Sequence, residues 1–296
     1  MILNVEQLRE LCEVAKTAAI EAGEYIKSSI DTTYSKLENK KSMSQAAEIV
    51  TVIDLKSEEI ILKYLEPTCV TYDLGLLTEE RKDDLSRLSK DYFWAIDPLD
   101  GTLPYSKGDT GYAVSIALVS KNGESILGVV VIPDKEEVFT SIKGEGVFMN
   151  NRPFYPTNKL DDGSLKVFSD HSLKKERDYD KTLMKLNKAS MNLGNDRGFE
   201  IHFGFGAVVN AISVMNNSCA CYFKPPKSNI GGGSIWDFAA TNLFFRELGF
   251  ISSEFAGNEM NLNEQDSLFM NHCGVLYANS KELASEILKI GSLIEQ

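Results

Sequence analysis

Apolar residues recur at helical spacing from Val5 to about Ser29, at Leu8, Leu11, Cys12, Ala15, Ala18, Ala19, Ala22 and Ile26, with Glu and Lys between them. That period predicts an amphipathic helix. Residues 30–47 are polar, with Lys36, Lys40 and Lys41, and read as a hairpin or loop. A second helix is expected from Asp54 through Leu65, with Leu55, Ile61, Leu62 and Leu65 as its apolar face. The run Tyr92-Phe93-Trp94-Ala95-Ile96 predicts a buried strand. Tyr112 to about Asn150 reads as β-rich. Tyr112–Val119 and Ile126–Ile132 flank the hairpin signal Lys121-Asn122-Gly123, and Val138–Ile142 and Val147–Met149 flank Gly144 and Gly146.

Residues 156–164, with Asn158, Asp161, Asp162 and Gly163, form the best linker, so the chain divides into parts 1–155 and 165–296. Beyond it the pattern alternates. Lys166–Ser169 and Ala220–Phe223 read as strands. Lys174–Lys188, Ala207–Met215, Asp237–Leu248 and Lys281–Ile294 read as helices, with Gly249 as a C-cap. This order predicts a layered α/β sandwich of helices and sheets.

At 296 residues the chain can bury a large core, and its net charge is −12. An acidic balance argues against a nucleic-acid face or attraction to an anionic membrane. A small phosphate substrate stays compatible, because bound cations invert the local field. The five cysteines, Cys12, Cys69, Cys219, Cys221 and Cys273, are too irregular for a disulfide framework, and a reducing cytoplasm is expected. Met1-Ile2-Leu3-Asn4-Val5-Glu6 carries no signal-peptide pattern, and the longest apolar runs are too short to span a bilayer.

The chemistry concentrates at Asp97-Pro98-Leu99-Asp100-Gly101-Thr102, directly after the predicted strand. Paired carboxylates at a strand end repel each other, and a divalent cation removes that cost. Oxygen-only ligation suits Mg²⁺ or Mn²⁺ rather than zinc. The amides of Gly101 and Thr102 are placed to face a phosphate. Thr102 also reads as a helix N-cap, and Asp54, at the start of its helix, has a capping role open to it besides any catalytic one.

Asp-Pro-Leu-Asp-Gly-Thr resembles the signature of the inositol monophosphatase superfamily, Mg²⁺-dependent, lithium-sensitive phosphatases. Three further segments agree in order: Val50-Thr51-Val52-Ile53-Asp54, Thr78-Glu79-Glu80 and Trp236-Asp237-Phe238-Ala239-Ala240. Gly128–Pro153 is also similar to the family. The resemblance implies an αβαβα sandwich of the inositol monophosphatase and fructose-1,6-bisphosphatase type. It implies two to three Mg²⁺ ions: Glu79, Asp97 and the Leu99 carbonyl on the first, Asp97, Asp100 and Asp237 on the second, and a third sharing Glu79. Thr102 and Asp54 would orient and deprotonate the attacking water. Asp100, Gly101, Thr102, His171 and Asp237 would meet the substrate, lithium would inhibit, and a homodimer is compatible.

The substrate implied first is inositol monophosphate, then adenosine 3′,5′-bisphosphate, then a fructose bisphosphate. Ser169-Asp170-His171-Ser172 is similar to an element of the nucleotide-bisphosphate branch, whereas Val209-Asn210 is similar to the inositol branch. Leu103-Pro104-Tyr105 departs from the family pattern. So does Asn217-Ser218-Cys219-Ala220-Cys221-Tyr222, where the family's aspartate is lost. The lysines of Lys224-Pro225-Pro226-Lys227 either meet a second phosphate or solubilise a loop. Two other classes compete. A haloacid-dehalogenase-type phosphatase needs Asp-x-Asp, but Pro98 and Leu99 add a residue between these aspartates. A catalytically inactive metal-binding regulator would lack catalytic acids, which are present here.

Overall fold

A computed structural model describes residues 2–38, 43–156, 162–176, 178–228 and 233–291. Five layers stack. Helices α1 (Val5–Glu38) and α2 (Met43–Tyr72) cover one face of a seven-stranded sheet. Its strands run in chain order: β1 (Gly75–Thr78), β2 (Tyr92–Asp100), β3 (Ala113–Ser120), β4 (Ser125–Ile132), β5 (Glu137–Ile142), β6 (Val147–Met149) and β7 (Arg152–Pro153). Only β1 and β2 pair in parallel. The short helices α3 (Ser86–Ser89) and α4 (Thr102–Ser106) flank β2.

The second sheet has five strands in the order β11-β12-β10-β8-β9. These are β8 (Leu165–Phe168), β9 (Phe199–His202), β10 (Ala220–Lys224), β11 (Ile251–Ser253) and β12 (Val275–Ala278). Helices α6 (Ala207–Met215) and α7 (Ile235–Glu247) lie between the sheets, while α5 (Tyr179–Asn192) and α8 (Lys281–Gly291) close the outer face. The predicted αβαβα sandwich is therefore observed.

Each layer boundary holds its own apolar core. Leu11, Ala15, Ala22 and Ile61 pack on Trp94, Ile116 and Leu118 beneath α1 and α2. Alanine at the α1 face lets that helix lie close to the sheet, and the strands, covered on both faces, are continuous apolar runs. The central core draws on both parts of the chain, joining Phe93, Ala117 and Val130 to Ile212, Phe238 and Phe244.

The observed elements differ from the sequence expectations at several places. The predicted loop at 30–47 is helical up to Glu38 and again from Met43, with 39–42 outside the described residues. The stretch is polar but has no Gly or Pro to stop a helix. Consequently Asp54 lies well inside α2 instead of opening it. Gly101, not Thr102, caps α4. The charged helix expected from Lys174 begins only at Tyr179, after a 3-10 turn at His171–Lys175. The linker 156–164 falls largely outside the described residues. Among the described residues no helix is long and apolar enough to cross a membrane.

Candidate metal centre

Asp97 and Asp100 stand at the end of β2, where a bulge decides their direction. Asp97 pairs with Ser115 and Asp100 with Ala113, so three steps on β2 oppose two on β3. Without the extra residue the two side chains would point to opposite faces; with it they share one. Asp237 arrives from the first turn of α7, at the N3 position. Ser234 N–H donates to its Oδ2 at 2.7 Å, which leaves its other oxygen for the centre. Oxygens of Asp97, Asp100 and Asp237 lie within 4.8 Å of one another.

These groups are crowded and short of water. Asp97 is 1% exposed and Asp100 7% exposed. Burial, then Glu79, Asp237 and Asp100, hold the Asp97 carboxyl well above the usual range. Burial and Asp237 push Asp100 up to about 8, against opposition from its amide donors and Lys224. Asp237 is raised by burial despite Lys224. Glu79, just past β1, keeps an open side; even so, desolvation followed by Asp237 pushes it up to about 8. Burial raises all three of the Glu79, Asp97 and Asp237 carboxyls, so the cluster takes up protons more readily than free carboxylates do.

Asp100 is clamped from the other side. Ala207 and Val208 N–H groups at the start of α6 donate to its Oδ1 and Oδ2 at 2.9 and 2.8 Å. Gly206 permits this approach, since a Cβ there would stand 2.3 Å from Asp100 Oδ2. Gly101, at φ +84°, turns the chain from β2 into α4. Thr102 follows it, exposed, and its hydroxyl donates to the Leu99 carbonyl at 3.2 Å.

Asp54 is buried in α2, and its Oδ1 has no hydrogen-bond partner. Burial, then Glu80, push its carboxyl up to about 8. A cap would have met amides; an interior helical aspartate with a bare oxygen beside Glu79 and Glu80 has no such structural reason. Two residues that the sequence did not single out hold α2 here. Ser57 Oγ donates to the Pro98 carbonyl at 2.7 Å, and Glu58 accepts from Thr78 Oγ1 at 2.7 Å and pairs with Arg81 at 3.2 Å. Their partners lie 41 and 20 residues away, so no local pattern marks them in the sequence.

His171 and Gly101 line a cavity of about 430 Å³ together with Asp100 and Asp237. His171 stacks on Phe203 with ring centres 5.5 Å apart. The structure thus brings Asp97, Asp100, Asp237 and Glu79 together, sets Asp54 on the Glu79 side, and puts Gly101 and His171 in the cavity wall, while Thr102 is exposed at the turn after Gly101 and does not line the cavity. A set of carboxylates with no nitrogen or sulfur donor, held near each other at a cost in repulsion, fits a hard divalent cation such as Mg²⁺.

The profile of the inositol monophosphatase family matches residues 7–294. The Nus factor SuhB of Pasteurella multocida is 31% identical over 253 residues, covering 83% of this chain and 84% of that protein. An inositol-1-monophosphatase of Mesorhizobium japonicum is 34% identical over 258 residues, covering 84% and 88%. Among solved structures, inositol monophosphatase-II of Staphylococcus aureus MSSA476 superposes with a TM-score of 0.71 at 20% identity, covering 97% of this chain and 96% of that one.

Proposed function

The chain belongs to the inositol monophosphatase family, and from that premise we propose that it is a Mg²⁺-dependent phosphomonoesterase of a small phosphorylated metabolite. The observation that carries this reading is the meeting of Asp97, Asp100 and Asp237 within 4.8 Å, together with a buried Asp54 whose Oδ1 has no hydrogen-bond partner. Glu79, Asp97, the Leu99 carbonyl, Asp100 and Asp237 would hold the cations. When bound, these supply Lewis-acid polarisation of the phosphoryl group and make water more acidic.

The protein's own groups do the rest. Asp54 accepts the proton of the attacking water, a role suited to a carboxyl that burial makes more basic. The Thr102 hydroxyl orients that water. Asp100, fixed between two amides of α6, sets the side from which the ester enters. Water attacks phosphorus and the alkoxide leaves; no enzyme–phosphate bond is formed.

The test is phosphate release with Mg²⁺ from inositol 1-phosphate and adenosine 3′,5′-bisphosphate, with and without lithium. Release that depends on Mg²⁺ and falls in millimolar-range lithium supports the reading. Retained Mg²⁺ binding with no release from any phosphomonoester would move the protein to a non-catalytic role.

Gly206→Ala is expected to cost about a hundredfold in activity, the effect of roughly 1 Å of misplacement in a positioned group. The new methyl cannot coexist with Asp100 Oδ2 at 2.3 Å. Phosphate release by the purified variant checks it, and activity within twofold of the parent would remove Asp100 from the site.

A further inference from the structure

The floor of the cavity is acidic, but its wall carries cations. Lys107, Lys224 and Lys227 line it, against Asp109 and Asp170. Lys224 differs from the rim residues. It ends β10 with a side chain only 15% exposed, and its Nζ lies 2.8 Å from Asp170 Oδ2. The same Nζ stands 5.6 Å from the centre of the Phe238 ring. It is near enough to Asp100 and Asp237 to lower both. Lys224 pairs with Val275 in the sheet, and the chain to either side is held as well: Ser169 Oγ donates to the Phe223 carbonyl at 3.2 Å, and Lys227 N–H donates to the Asn271 carbonyl at 2.7 Å.

An ammonium has donors and no acceptor. Facing a neutral polyol it can satisfy one hydroxyl oxygen but gains no charge neutralisation. Facing a phosphate or carboxylate it gains a charge-assisted bond. Asp170 already serves as such an anion, from the 3-10 turn side of the cavity. A ligand anion entering there competes with Asp170 for the same ammonium.

We propose that Lys224 is a specificity-determining residue: it receives a second anionic group on the substrate's leaving portion, with Asp170 as the exchangeable counter-ion that holds the ammonium in the empty cavity. The preferred substrates are therefore phosphomonoesters carrying a further phosphate or carboxylate, not neutral polyol monophosphates. This rests on the phosphomonoesterase reading above, and its two components move in opposite directions when altered. Removing the ammonium lowers the preference. Removing the competing carboxylate charge raises it.

The experiment uses two matched pairs: adenosine 3′,5′-bisphosphate with adenosine 3′-phosphate, and fructose 1,6-bisphosphate with fructose 1-phosphate. For each pair the ratio of kcat/KM is measured with Mg²⁺ for the parent, Lys224→Met and Asp170→Asn. The parent is expected to favour the doubly charged member of at least one pair by about tenfold, the value of one charge-assisted bond. Lys224→Met should lower that ratio about tenfold, mainly through KM, and Asp170→Asn should raise it about threefold. A parent with no preference, or two variants that shift the ratio the same way, overturns the proposal. So does an equal loss on both members of a pair in Lys224→Met, since that would leave Lys224 only offsetting the floor carboxylates.

Calorimetric titration of the same compounds separates the two readings. Binding preference that depends on Lys224 without turnover keeps the subsite and removes the phosphatase. Turnover without preference does the reverse, and neither binding nor turnover removes both.

Discussion

Asp97→Asn is expected to reduce phosphate release by a factor of about a thousand while the protein stays folded. Asp97 is the carboxylate assigned to both cations, and loss of a cation's contribution of several kcal/mol corresponds to that factor. The fold should tolerate the change for reasons that lie in the same geometry. Asparagine keeps the oxygen that accepts the Leu99 N–H at 3.0 Å. The charge that is lost is the one burial already disfavours. Circular dichroism and a thermal melt check the fold, and steady-state kinetics checks the rate. A variant within tenfold of the parent would sink the assignment of the centre.

Removing divalent cations is expected to make stability fall as pH rises from about 5 to 8. The sign follows from linkage. In the unfolded chain carboxyls titrate near 4. In the fold Asp54, Glu79 and Asp100 are each pushed up to about 8, and Asp97 and Asp237 are raised as well. Between those values the native state binds more protons than the unfolded one. The stabilisation is therefore full below the unfolded values and is lost as pH climbs through the folded ones.

With a chelator present, Tm should drop by about 3 °C or more over that interval, the shift produced by roughly 2 kcal/mol in a chain of this size. Saturating Mg²⁺ should restore most of it at pH 8 and little at pH 5, because a protonated carboxyl is a poor ligand. A Tm in chelator that is level or rising with pH would contradict the crowding on which the centre is built.

Much of this was legible in the chain, and the exceptions have physical causes. The long apolar strands β2, β3 and β4 and helix α6 announced themselves because burial on both faces leaves little polar interruption. Asp97 and Asp100 could be placed because they follow such a strand directly. The short strands β1, β9, β11 and β12, each of three or four residues, carry too little pattern to read and owe their existence to neighbours in the sheet. Asp54 was read at a helix start because polarity was taken for a loop, although no helix breaker was present. Ser57 and Glu58 act through partners 41 and 20 residues away, a pairing that no local pattern contains. In the sequence Lys224 reads either as a contact for a second phosphate or as a solubilising loop residue; only the order of the second sheet, which sets β10 next to β8, brings it beside Asp170.

The attachment of α2 through Ser57 and Glu58 has a consequence for how such a protein can diversify. The proposed proton acceptor and the turn bearing Glu79 are fastened to one rigid rod, and that rod is bolted to the strand bearing Asp97 and Asp100. These groups form a fixed engine block. The wall with Asp170, His171, Lys224 and Lys227 belongs to the other sheet and meets the block only across the cavity. Drift in the wall can retune what is admitted without disturbing the spacing of the block. Drift at Ser57, whose hydroxyl holds the Pro98 carbonyl between Asp97 and Leu99, would loosen the whole engine at once.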